Sequence, residues 1–112
     1  MKRDMSYLEQ MPIVVLGGGA VGKTVAADCK LAGREVRLYS RSRSSIDGLE
    51  RTGILLDGIQ RNLYGFERSG RAFLDMVSTD MAEAVKGAGL IVIAIPAHAH
   101  EYYLRTLVPL LE

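Results

Sequence analysis

The 112-residue sequence has no tryptophan, three prolines and a single cysteine, and its formal charges nearly cancel, leaving +1. One cysteine, Cys29, excludes an internal disulfide, so the fold must rest on an apolar core, and a reducing compartment is expected. With a net charge this small and a pI near 7.9, there is no strong global field, which argues against nucleic acid or an anionic membrane surface as partner. Any anion site must be local. Long hydrophobic runs are also missing: the longest, Leu90 to Ala97, is too short to span a bilayer. The opening stretch MKRDMSYLEQMP has basic residues but no apolar segment behind them, so a cytoplasmic protein is expected. Internal repeats and biased tracts are absent.

Apolar residues make up 48% of the chain and charged residues 24%, the composition of an ordinary globular domain. The length suits one core. We expect a mobile polar lead-in over residues 1–12 and a single domain over residues 13–112.

Within that domain, IVVL (residues 13–16) reads as a parallel strand buried on both faces. After three glycines, helical spacing places Val21, Val25, Ala26, Cys29 and Ala32 on one face, with Gly33 as the stop. EVRLYS (residues 35–40) alternates as a second strand, and residues 46–53 suit a short helix. Residues 53–78 mix apolar and polar positions around glycines and read as strands or a hairpin. Asp80 can cap a helix whose Glu83 reaches back to the cap, with Gly87 or Gly89 ending it. LIVIAIPA (residues 90–97) is a wholly apolar strand stopped by Pro96, and residues 98–112 read as helix with Pro109 in a kink or tight end. Strands alternating with helices predict a doubly wound parallel α/β sheet of Rossmann type.

The stretch GGGAVGKT (residues 17–24) satisfies two phosphate-binding patterns at once. Read as G-x-x-x-x-G-K-T, Lys23 would reach the phosphates and Thr24 would bind magnesium, but that site needs a second acidic ligand after an apolar strand. Only Asp57, after ILL, is a candidate, and it is followed by neither a D-x-x-G nor an N-K-x-D element. No metal site is expected. Read as G-x-G-x-x-G, the loop needs a strand before, a helix after and a second strand beyond, and all three are present. Gly17 then allows the tight turn, Gly19 the approach of a pyrophosphate and Gly22 the packing of helix on strand. Gly18, Ala20 and Val21 complete the loop, with the pyrophosphate near the N–H groups of Gly19, Ala20 and Val21. Lys23 and Thr24 become helix surface.

An acid at the end of the second strand would accept the ribose hydroxyls of NAD. Ser40 stands there, followed by Arg41, Ser42 and Arg43. Arginine pairs with a 2′-phosphate through charge-assisted contacts, each worth about 1.5–3 kcal/mol, so Ser40, Arg41 and Arg43 predict NADP, with NAD as the alternative. The competing reading is that this loop is solvated surface. Tyr39 either lines an adenine pocket or packs inward.

With strand, loop and IPAHAH in place, the chain resembles the amino-terminal NAD(P)-binding domain of the opine (octopine and nopaline) dehydrogenase family. The points of resemblance are VVLGGGAVGKTVAADCKLAGREVRLYSR, the glycine-containing hairpin region, VSTDMAEAVKGAGLIVIAIPAHAH and, most specific, Pro96, Ala97 and His100 in the pattern P-A-x-x-H. The glycine loop is shared with ketopantoate reductases and glycerol-3-phosphate dehydrogenases. Family members often carry Asn and Gly where this chain has Ala20 and Val21.

The resemblance implies the cofactor domain of an oxidoreductase that condenses a 2-keto acid with an amino acid, with Pro96, Ala97 and His100 beside the nicotinamide. Neither His98 nor His100 is assigned a catalytic role. In that family the catalytic histidine and substrate pocket lie in a second, helical domain, so residues 13–112 are expected to form a truncated Rossmann domain, inactive alone and served by a small-molecule substrate only when completed. Strand 90–97 would be an open edge through which the chain self-associates. The alternatives are a noncatalytic NAD(P)-sensing module and a P-loop nucleotide-binding protein.

Overall fold

The computed structural model describes residues 10–56 and 69–111. Residues 1–9 of the expected lead-in and residues 57–68 of the expected hairpin region, the acid Asp57 among them, lie outside the described residues. The chain runs β1 (Ile13–Leu16), α1 (Ala20–Leu31), β2 (Val36–Tyr39), α2 (Arg43–Ile46), α3 (Leu49–Thr52), β3 (Ile54–Leu56), β4 (Gly70–Ala72), β5 (Met76–Ser78), α4 (Met81–Val85), β6 (Leu90–Ile93) and α5 (His100–Leu107). A four-stranded parallel sheet has the order β5-β2-β1-β6, and β3 pairs with β4 as a separate antiparallel ribbon.

β1 is central and wholly buried, as its β-branched run requires. Its side chains alternate between the sheet's faces with period two. Ile13 and Val15 join Ala26, Val36, Leu38 and Ile46 on the α1 side. Val14 and Leu16 join Tyr39, Met81, Ala84, Val85, Tyr103 and Leu107 beneath α4 and α5. Helices thus cover both faces, giving the expected Rossmann-type α/β layering.

Four details depart from the sequence reading. Val21 and Ala32, expected on the buried face of α1, are exposed, and Ala26 and Ala27 carry the contact instead, with Val25 and Cys29 at its margin. Val21 and Ala32 stand at the two ends of α1, the second residue and the carboxyl cap, whereas buried Gly22 packs the helix closely on the turn after β1. Second, the serine- and arginine-rich end of β2 is already helical from Arg43, and left-handed Gly48 (φ 79°) separates that turn from α3. Third, Asp80 caps α4 by accepting from the Glu83 N–H at 3.3 Å, but its own N–H donates to Ser78 Oγ at 2.9 Å, so the Glu83 side chain does not close the capping box. Last, β6 ends at Ile93, with a 3-10 turn over Ala97–Ala99 before α5 and another over Val108–Leu110 that accommodates Pro109.

Candidate functional site

The carboxyl ends of β1, β2 and β6 are level, because Leu16 pairs with both Tyr39 and Ile93. From β1 the chain crosses to β2 on one side and later to β6 on the other, so a crevice opens where the connections diverge, the usual ligand position in such sheets. A cavity of about 890 Å³ lies there, within the roughly 300–1,000 Å³ typical of ligand sites. Three loops line it: residues 17–21 after β1, Ser40, Arg41, Ser42 and Ser45 after β2, and residues 93–96 with His98 and Ala99 after β6. Tyr103 reaches it from α5.

The glycine loop has the geometry of a dinucleotide turn. Only residues 17–19 separate β1 from α1, so Lys23 and Thr24 are already helical. Thr24 Oγ1 donates to the Ala20 carbonyl at 2.8 Å, which commits the hydroxyl to the helix. Gly17 has φ 131°, and a Cβ there would stand 2.1 Å from the Ala94 carbonyl oxygen. A Cβ on Gly22 would stand 1.9 Å from the Gly17 carbonyl oxygen. Both glycines are demanded by the fold. Gly19 differs: its backbone is extended (φ −79°, ψ −172°), and a Cβ there would meet nothing within 4 Å. Neither strain nor crowding calls for glycine at that position.

Gly19 also caps α1 with no side-chain hydrogen bond, and no acid occupies the first turn. The first N–H groups of a helix have no partner within it, so this end offers donors and partial positive charge to an anion in the cavity. Among the described residues no group of three or more His, Cys, Asp or Glu is placed to hold a metal ion.

After β2 the predicted residues diverge. Ser40 is buried, and its hydroxyl donates to the Ser42 carbonyl at 3.0 Å while accepting from the Ser42 N–H at 3.1 Å, so it ties its own turn. Arg41 is exposed and lines the cavity. Its backbone N–H donates to the Tyr103 hydroxyl at 3.3 Å, and its guanidinium carbon lies 4.2 Å from the Tyr102 ring centroid. Arg43 is exposed on α2 and is not among the cavity's lining residues. Tyr39 packs inward: it is 3% exposed, edge-on to Tyr103, and burial, reinforced by Tyr102, pushes its phenol up to about 12.

After β6, Pro96 lines the cavity while Ala97 does not, and His98 rather than His100 faces it. His100 Nε2 instead lies 3.3 Å from the Ile95 carbonyl oxygen and closes the turn. Gly22 sits behind the loop as a packing residue. Sequence reasoning did not select Ser42, Ser45, Ala99 or Tyr103. The two serines sat in plain view beside Arg41, whereas nothing local marks Tyr103, which reaches the cavity only because α5 packs against β2.

A family model described as NAD-dependent glycerol-3-phosphate dehydrogenase N-terminus matches residues 12–112. A glycerol-3-phosphate dehydrogenase [NAD(P)+] of Moorella thermoacetica is 33% identical over 99 residues, covering 88% of this chain and 28% of that protein. Its counterpart in a Thermoanaerobacter species is 27% identical over 96 residues, covering 80% and 24%. Among solved structures, glycerol-3-phosphate dehydrogenase from Coxiella burnetii superposes with a TM-score of 0.69 at 24% identity, over 92% of this chain and 30% of that one. Octopine dehydrogenase, with NADH and L-arginine, superposes with a TM-score of 0.74 at 21% identity, over 92% and 26%. The chain therefore spans about a quarter of its curated relatives' length, and these two structural likenesses speak for the fold. A family match over nearly all of the chain, on a sheet whose glycine turn opens into the crevice beside β1, means that the chain belongs to the glycerol-3-phosphate dehydrogenase amino-terminal family and is a nicotinamide-cofactor-binding domain of the oxidoreductase class.

Proposed function

We propose that this domain binds NADP in preference to NAD and serves a dehydrogenase whose substrate is a small molecule. The observation that carries the reading is Gly19: a glycine that neither backbone strain nor neighbouring atoms require, at the amino end of α1 and on the wall of the cavity. Space kept free there suits the close approach of a pyrophosphate. Residues 17–21 would hold that group, Arg41 with Ser42 the adenosine end, and Ile95 with Pro96 the nicotinamide end. The bound nicotinamide supplies a two-electron hydride carrier. The preference for NADP rests on the cation Arg41, next to Ser40, which stands where an NAD-binding domain carries an acid.

Glycerol 3-phosphate is the favoured substrate, supported by the family match and the 33% identical relative. An opine-type condensation is the second reading, supported by Pro96, Ala97 and His100 in the P-A-x-x-H pattern. We assign this chain no catalytic residue in either case.

The test is a fluorescence titration of the purified chain with NADPH, followed by competition with NADP, NAD and magnesium GTP. Displacement by NADP at lower concentration than by NAD is expected. Displacement by the triphosphate alone would return the loop to a P-loop reading.

A further inference from the structure

Arg41 has a second set of contacts that the glycine loop does not explain. Its guanidinium stacks on Tyr102, a residue of α5 that does not itself line the cavity. Behind it the aromatic rings form a chain. Tyr102 and Tyr103 meet edge-on at 5.7 Å, and Tyr103 meets Tyr39 edge-on at 5.6 Å. Tyr103 and Tyr39 are 5% and 3% exposed, so the chain of rings runs into the core. The Tyr103 hydroxyl also accepts the Arg41 backbone N–H. Main chain and side chain of Arg41 are thus both held from α5.

Resting on the NADP reading above, we propose that Tyr102 is a positioning residue for cofactor choice: its ring holds the Arg41 guanidinium at the cavity wall, ready for a 2′-phosphate. Two features support this assignment. The guanidinium carbon lies over the Tyr102 ring, and no N–H of the Arg41 side chain donates to another described residue, which leaves those donors for a phosphate. No carboxylate among the described residues forms a salt bridge with Arg41, so none of them neutralises its charge. A long side chain on an exposed loop would otherwise lose rotamer freedom on binding, and the stack removes part of that loss beforehand.

The test is a double-mutant cycle on the ratio of NADPH to NADH affinity, read by titration of cofactor fluorescence. R41A should abolish the preference for NADPH. Y102L should lower it by about two- to fivefold, the range of an exposed cation–π contact. Y102F keeps the ring and should restore it. Added to R41A, Y102L should change the ratio no further. Tyr102 is 40% exposed, and melting temperatures check that Y102L folds.

A wild-type ratio in Y102L, or an equal fall in the presence and absence of R41A, overturns the role of Tyr102 while leaving NADP binding intact. A wild-type chain without preference for NADPH, or one that binds neither cofactor, overturns the NADP reading and this inference with it.

Discussion

Two glycines of one loop, Gly22 and Gly19, answer to different constraints, and substitution separates them. At Gly22 an added methyl meets the Gly17 carbonyl oxygen at 1.9 Å, a backbone atom that cannot yield without moving β1 or α1. Gly22→Ala should therefore lower stability by about 1–3 kcal/mol, as overpacking does, visible in chemical denaturation. Gly19→Ala meets nothing within 4 Å and sits in an ordinary extended conformation. It should leave the denaturation midpoint near that of the wild type and weaken NADPH at least tenfold in the fluorescence titration, because the methyl enters the space assigned to the pyrophosphate. Equal NADPH affinity in Gly19→Ala and wild type would remove the principal support for cofactor binding at this loop.

Among the elements, α1 and the start of β2 are tied by a carboxylate. Asp75 accepts two bonds from Lys30 Nζ, at 2.9 and 2.8 Å, and one from the Val36 N–H at 2.8 Å. Partial burial pushes its carboxyl up, but the Lys30 and Val36 bonds outweigh that and hold it below the usual carboxylate value of 3.8. A carboxyl whose pKa is lower folded than unfolded adds stability above the unfolded value and loses it as the pH falls through the folded one. Melting temperature should thus fall as the pH drops below about 4, and Asp75→Asn should flatten that part of the profile. The effect is modest because the pair is partly exposed, with 29% and 36% of the two side chains accessible. An unchanged acid profile in Asp75→Asn would mean that other carboxylates govern it.

For the whole molecule, the sheet order leaves β6 with β1 as its only strand partner among the described residues. Its first residue, Leu90, is 54% exposed, and Leu104, Val108 and Leu111 are exposed as well. An unpaired strand edge pairs readily with another chain, so we propose that the 112-residue chain self-associates through β6. Sedimentation should show a concentration-dependent shift to a dimer or larger species, and Leu90→Lys should diminish it. A single monomeric species at high concentration would count against the edge. No helix among the described residues is long and apolar enough to cross a membrane.

What the sequence determined by itself was local and periodic. An IVVL run ending in glycines, a helical repeat and a second alternating segment were enough for the parallel α/β fold, because strand and helix leave distinct periods in one dimension. Gly17, Gly19 and Gly22 were legible for the same reason, since the turn that needs them lies within six residues. The tertiary structure decided the rest. It left Val21 at the exposed amino end of α1, on the cavity wall rather than in the core. It spent the Ser40 hydroxyl on its own turn, set His98 rather than His100 at the cavity, and brought Tyr102 and Tyr103 to Arg41 across more than sixty residues of chain. Those contacts depend on where α5 lands on the sheet, and no period or spacing in the sequence encodes that distance.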